Sequence, residues 1–150
     1  MLKYLVAALL VSSAAFGQEI KGKAIALDGG TLLVTQDGGG KAVTVKIWGL
    51  DAPEMKIWPW GPRARGTLDL FLRSHERGVV CERRENAGNQ ILAKCRLIPD
   101  SGGNDLDVGA IMIRSGYAVE DRVISKGVYQ DEEETAWRNN LGVWAKFWAK

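Results

Sequence analysis

The chain has little of what most metal and nucleophile chemistries need. It holds one histidine, His75, and two cysteines, Cys81 and Cys95. Two cysteines with a single histidine do not make a zinc site. There is no Gly-x-Ser-x-Gly elbow, and "GGGK" (Gly38–Lys41) lacks both the spacing and the following helix of a phosphate loop. The formal net charge of +2 is too small for nucleic-acid binding by bulk charge alone, although a local basic face stays open. Beyond the N-terminus no run is apolar enough to span a membrane. A chain of 150 residues is long enough for one domain and short for two, and it shows no internal repeat.

What is present begins with "MLKYLVAALLVSSAAFG". One Lys, an apolar run from Tyr4 to Val11 and small residues at Ala15 and Gly17 read as a secretory signal peptide over residues 1–17, cleaved before Gln18. The alternative is an uncleaved anchor. Cleavage implies a secreted or periplasmic protein with no stable membrane insertion; a single domain over residues 18–150 and a monomer are expected beside it. The cysteines agree with export. Cys81 and Cys95 lie in strand-like segments on either side of "NAGN", equidistant from Gly88, so a hairpin turning there sets them opposite each other. An oxidising compartment then favours a disulfide, the alternative being two buried thiols.

Strands are expected over Glu19–Ala26, Thr31–Thr35 and Ala42–Trp48, joined by Gly-rich turns, from β-branched content and period-2 alternation. "DAPEMKIWPWGP" holds three prolines and resists regular structure until Pro62 opens a helix over about Arg63–Ser74. A hairpin follows, Val79–Glu85 and Gln90–Leu97. Val79, Cys81, Ile91, Ala93, Cys95 and Leu97 are expected on one side of it. Glu82, Arg84, Leu92, Lys94 and Arg96 are expected on the other. Asp105 is expected to cap a helix over about Leu106–Ser115, "YAVEDRVISKGV" to be irregular or short-stranded, and a last helix to run over about Tyr129–Asn140. Its acidic run Asp131–Glu134 suits the positive end of the helix dipole. This order points to an α+β, mainly β fold: a five-stranded OB-type barrel with three helices.

The stretches "IALDGGTLLV", "VKIWGLDAPE", "GPRARGTLDLFL", "QILAKCRL", "DLDVGAIMIRSGYAV" and "ETAWRNNLGVWA" resemble, in content and order, the staphylococcal nuclease-like (thermonuclease) family, from about Ile20 to Trp144. The resemblance implies the same barrel and, in active members, a calcium-dependent phosphodiesterase acting on DNA and RNA. Such a site needs two Asp and a carbonyl on calcium, a Glu for the attacking water, and two Arg on the phosphate. Matched position by position, Asp51 stands at a metal ligand, Ala52 at the carbonyl and Glu54 at the water. Gly30 replaces the other metal carboxylate, with Asp28 two residues away as a substitute ligand. Lys46 replaces the first Arg and keeps charge without the fork. Gln90 replaces the second, with Arg84, Lys94 and Arg96 nearby as displaced cations.

Three of five key side chains therefore differ, and loss of one charge-stabilising donor typically costs about 10² to 10³ in rate. The resemblance thus implies a nuclease fold whose catalytic set is impaired, with calcium doubtful, acting by binding single-stranded DNA or RNA or another ligand. Between Arg63 and Leu97 eight basic residues face four acidic ones, which fits such binding or a merely solvated basic surface. One alternative is an active nuclease with a rearranged site. Another is an envelope scaffold whose Trp58 and Trp60 anchor a protein partner, unless both pack beneath their loop.

Overall fold

In the computed structural model, which describes residues 18–145, strand β1 (Glu19–Ala26) alternates exposed and buried at every residue. Its inward side chains, Ile20, Ala24 and Ala26, open a core that β2 (Thr31–Gln36) extends with Leu32 and Val34 and β3 (Ala42–Ile47) with Val45 and Ile47. These three strands form the expected antiparallel meander. A two-residue strand β4 (Leu50–Asp51) follows, then helix α1 (Trp60–Ser74) and the hairpin β5 (Gly78–Ala87) and β6 (Gln90–Leu97). β5 pairs with β1, and β6 runs parallel to β3 with Lys46 opposite Leu92. That parallel pairing closes a mixed five-stranded barrel, so no long strand edge of the meander is left open.

The remainder covers the barrel. It comprises β7 (Leu106–Asp107), α2 (Val108–Arg114), β8 (Val119–Glu120), α3 (Arg122–Ser125), α4 (Gln130–Arg138) and a 3₁₀ turn at Gly142–Trp144. The architecture is α+β and mainly β, an OB-like closed barrel with three helices of seven residues or more. Leu68 and Leu72 of α1 and Met112 and Ile113 of α2 are fully buried. Each such side chain stabilises the fold by roughly 1.5–3 kcal/mol. Among the described residues no helix is long and apolar enough to cross a membrane. The signal peptide expected over residues 1–17, and residues 146–150, lie outside the described residues.

Four details differ from the sequence expectation. Helix α1 starts at Trp60, not Arg63, because Trp60 is the first of a stripe, Trp60–Ala64–Leu68–Leu72, that buries at four-residue spacing. The cap of α2 is Asp107, not Asp105: Asp107 Oδ1 accepts from the Ala110 N–H at 3.1 Å, whereas Asp105 pairs with Arg96. The "EDRVIS" stretch includes a short helix, capped by Asp121 on the Val123 and Ile124 N–H groups. Finally, Leu92 is buried rather than on the charged face. A bulge between Arg83 and Glu85 breaks the alternation of β5, and Arg84 has no partner on β6.

The Cys81–Cys95 disulfide is formed, with the two residues directly opposite in the hairpin and fully buried. Asp69 of α1 supplies a second tie. Its carboxylate accepts from Arg77 at 2.9 Å, and Arg77 also donates to the Ala24 carbonyl, so helix and barrel are joined. The Arg77 hydrogen bond, opposed in part by burial, holds the Asp69 carboxyl below its ordinary 3.8. A depressed carboxyl contributes stability that is present above its unfolded value and fades as pH falls through the lower folded one. Asp69→Asn is therefore expected to cost about 1 kcal/mol in urea unfolding at pH 7 and progressively less as pH falls below the ordinary carboxylate range. A cost that did not fall with pH would show that the charge is irrelevant.

Candidate functional site

The β1–β2 turn, the β4 loop and the start of β6 meet at one cleft. Asp28 Oδ1 accepts from the Gly30 N–H at 2.7 Å, and the Gly30 carbonyl accepts from the Ile47 N–H at 2.9 Å, which pins the turn to the end of β3. Gly49, at φ +80°, reverses the chain after Trp48, and a Cβ there would lie 2.8 Å from the Tyr129 ring. The reversal delivers Asp51 to the end of β4, paired with Val119. Gly61 presses the first turn of α1 against the preceding loop, since a Cβ would sit 2.1 Å from the Glu54 carbonyl oxygen.

These constraints bring Asp28, Gly30, Lys46, Asp51, Glu54 and Gln90 together around a cleft of about 260 Å³. Every position carried over from the nuclease resemblance except the three substitute cations lines it. Arg84, Lys94 and Arg96 lie on the adjoining outer face of the hairpin. Glu54 is well exposed and pairs with Lys56 at 2.7 Å. That pairing raises the Lys56 ammonium above its ordinary range and gives Glu54 a cation in water. Nothing in the spacing of Glu54 and Lys56 announces the pair, because their loop has no regular period.

Calcium wants six to eight oxygen ligands. Gly30 offers no side-chain oxygen, Asp28 has one oxygen committed to the Gly30 N–H, and Glu54 is turned to Lys56. Among the described residues no group of three or more His, Cys, Asp or Glu converges as a metal site. The donor set therefore does not fit calcium as the resemblance would have it. With three carboxylates against Lys46, the cleft floor is also a poor seat for a bare phosphate.

The adjoining face is different. Arg84, freed by the bulge, lies over the Trp48 ring at 5.4 Å, and Lys94 lies 5.9 Å from the same ring and 5.8 Å from Tyr129. Trp48 meets Tyr129 edge to face at 6.0 Å. Tyr129 donates its hydroxyl to both oxygens of Asp107, at 2.9 and 3.0 Å. Burial first, then the Asp107 charge, pushes that hydroxyl far above its ordinary range. Asp107 pairs with Lys94 at 3.3 Å and Asp105 with Arg96. Arg73 and Arg77 share Asp69. Four of the eight basic residues between Arg63 and Leu97 are thus ion-paired, while Arg63, Arg65 and Arg83 make no ion pair among the described residues. Lys46 and Arg84 have no ion-pair partner among the described residues.

The loop after the cleft divides its tryptophans. Trp60 is 7% exposed and packs on Tyr117 with their ring centroids 6.3 Å apart, while Trp58 is 78% exposed. Packing beneath the loop therefore holds for Trp60 alone.

No family model matches the chain. It is similar to "Succinoglycan biosynthesis protein ExoI" of Rhizobium meliloti (strain 1021), 28% identical over an aligned length of 151 with gaps counted, which takes in 93% of this chain and 72% of that protein.

Proposed function

We propose that this protein is a nuclease-like OB barrel that binds single-stranded nucleic acid without hydrolysing it. The observation that carries the reading is Arg84 of β5 laid over Trp48, two residues along from Lys46 of β3. A guanidinium plane backed by an indole offers a flat cation on which a base stacks and to which a phosphate bonds. Lys46 adds a cation that makes no direct ion pair among the described residues, at the edge of a cleft it shares with Asp28, Asp51 and Glu54. Exposed Trp58, in the loop that follows Glu54, supplies a further stacking surface. The cleft gathers the positions that the resemblance matches to a phosphodiesterase site but lacks the donors that would hold calcium and clamp a phosphate. We further place the protein in an exported, oxidising setting, a reading supported by the buried Cys81–Cys95 disulfide. The relative's name assigns that protein to succinoglycan biosynthesis and specifies no reaction.

Fluorescence anisotropy of a labelled single-stranded oligonucleotide tests the reading. Affinity is expected to fall with salt. Arg84→Ala and Lys46→Ala are each expected to flatten the log–log salt slope by about 0.7, the value for one phosphate contact on a single strand. Glu54→Gln is expected to leave binding unchanged. No binding at low salt would refute the proposal. Calcium-dependent cleavage that Glu54→Gln abolished would instead establish a rebuilt nuclease, with Asp28 as the first residue to mutate.

A further inference from the structure

One face of α4 carries Gln130, Glu133, Glu134 and Trp137, whose spacing of three, four and seven residues sets them along one side of the helix. With Arg122 of α3 and Trp144 of the 3₁₀ turn they line a pocket of about 390 Å³. Trp137 is 58% exposed there. Glu133 pairs with Arg122 at 2.9 Å and accepts from the Glu120 N–H at 3.0 Å, and Glu134 pairs with Arg138. Each carboxylate already has its guanidinium. The pocket therefore holds no unbalanced anion for a cationic ligand and no unbalanced cation for a phosphate.

What it does offer is donors beside acceptors around an indole face. Arg122 and Gln130 present N–H groups, while Gln130 and the carboxylates present oxygens. The Trp144 Nε1–H is buried from solvent, so Trp144 gives the pocket part of its ring wall and not its donor. An apolar ligand would cover the Arg122 and Gln130 donors without bonding them. A hydroxyl both donates and accepts, and a sugar ring has an apolar C–H face that suits a flat aromatic. The volume lies within the usual range for small-ligand sites.

We infer that this pocket is a saccharide-binding site, in which a neutral sugar ring stacks on Trp137 and its hydroxyls bond Arg122 and Gln130. The inference does not depend on the nucleic-acid reading, which concerns Lys46, Trp48 and Arg84.

The test follows the Trp indole N–H signals of the ¹⁵N-labelled protein, assigned through single Trp→Phe variants. The protein is titrated with cellohexaose, laminarihexaose and maltohexaose, and with polyethylene glycol as the hydroxyl-poor control. At least one hexasaccharide is expected to move the Trp137 and Trp144 signals at millimolar concentration and to leave Trp58 in place. Trp137→Ala is expected to weaken that binding about tenfold, the effect of losing one aromatic stack. Trp137→Phe should recover most of it, which separates stacking from a folding defect. Three results would each overturn the inference: no shift with any of the three sugars, equal shifts with polyethylene glycol, or unchanged affinity in Trp137→Ala. Movement of these two signals by a single-stranded oligonucleotide alone would overturn it as well.

Discussion

Installing Gly30→Asp, Lys46→Arg and Gln90→Arg together is expected to raise calcium-dependent cleavage of single-stranded DNA by about 10³-fold over the natural chain. The cleft already holds these three positions around Asp51 and Glu54, so the change is one of donors and not of shape. At position 30 a Cβ would lie 3.0 Å from the Leu50 Cδ1, 3.5 Å from the Ala52 Cβ and 3.8 Å from Asp28 Oδ1. The closest contact is the far end of a flexible side chain, which can shift by the few tenths of an ångström required. A third Asp beside Asp28 and Asp51 adds repulsion in the metal-free protein, which a bound dication would offset. Gly30→Asp alone is therefore expected to lower the melting temperature in chelator and to recover it in millimolar calcium, whereas the natural chain should respond to neither. The two Arg supply the forked donors that Lys46 and Gln90 lack. The three effects act within one site and will not multiply, which is why the expected gain is that of roughly one restored donor step and not of three. A triple variant that binds calcium and still cuts nothing would mean that the Glu54–Lys56 pair, and not the missing donors, holds the site off.

The barrel is largely legible because its signals are local. Period-2 alternation marks Glu19–Ala26 and Ala42–Ile47 directly, and Gly88 between two Cys-bearing strands marks the hairpin and its disulfide. Closure is not legible in the same way. The parallel contact of β3 with β6 joins Val45, Lys46 and Ile47 to Ile91, Leu92 and Ala93 across most of the barrel sequence, and no period records it. It is that contact which sets Gln90 beside Lys46 and assembles the cleft. The order of motifs points to the cleft residues through family resemblance, while their donor chemistry is readable residue by residue. The outer face is harder. Alternation sets Arg84 on the face with Lys94, but its position over Trp48 depends on a bulge that alternation cannot foresee. The internal neutralisation of Lys94 and Arg96 by Asp107 and Asp105 depends on where β7 runs, and "PDSGGND" reads only as loop. The start of α1 is a different case, because its signal is local. Trp60, Ala64, Leu68 and Leu72 share a four-residue spacing, and that spacing alone extends the helix back from Arg63 to Trp60.

Replacing both cysteines, Cys81→Ala with Cys95→Ala, is expected to cost about 3 kcal/mol, the chain-entropy value for a loop of this size. The two residues are 14 apart in sequence and directly opposite in the β5–β6 ladder. In the unfolded chain the bond forbids most conformations of the intervening turn, and that restriction is what the double variant removes. The hairpin is also the part of the barrel with most at stake. β5 pairs with β1 on one side, and β6 closes the barrel against β3 on the other, so loosening the hairpin loosens both seams. The Val79–Leu97 pair and buried Leu92 and Ala93 remain to hold it, which argues for a destabilised fold and not an unfolded one. For a domain of this size the loss corresponds to a fall in melting temperature of roughly 10 °C. Differential scanning calorimetry of the oxidised natural protein beside the double variant measures it, and reducing agent should lower only the former. Arg84 is carried on the bulge of β5, between the disulfide and the hairpin turn, so its seat over Trp48 relies on the same hairpin. Oligonucleotide affinity is thus expected to decline in the double variant before the barrel melts. If affinity survived unchanged up to the melting transition, the outer face would be held by β3 and α4 alone, with Trp48 locked on Tyr129 and the disulfide serving stability only.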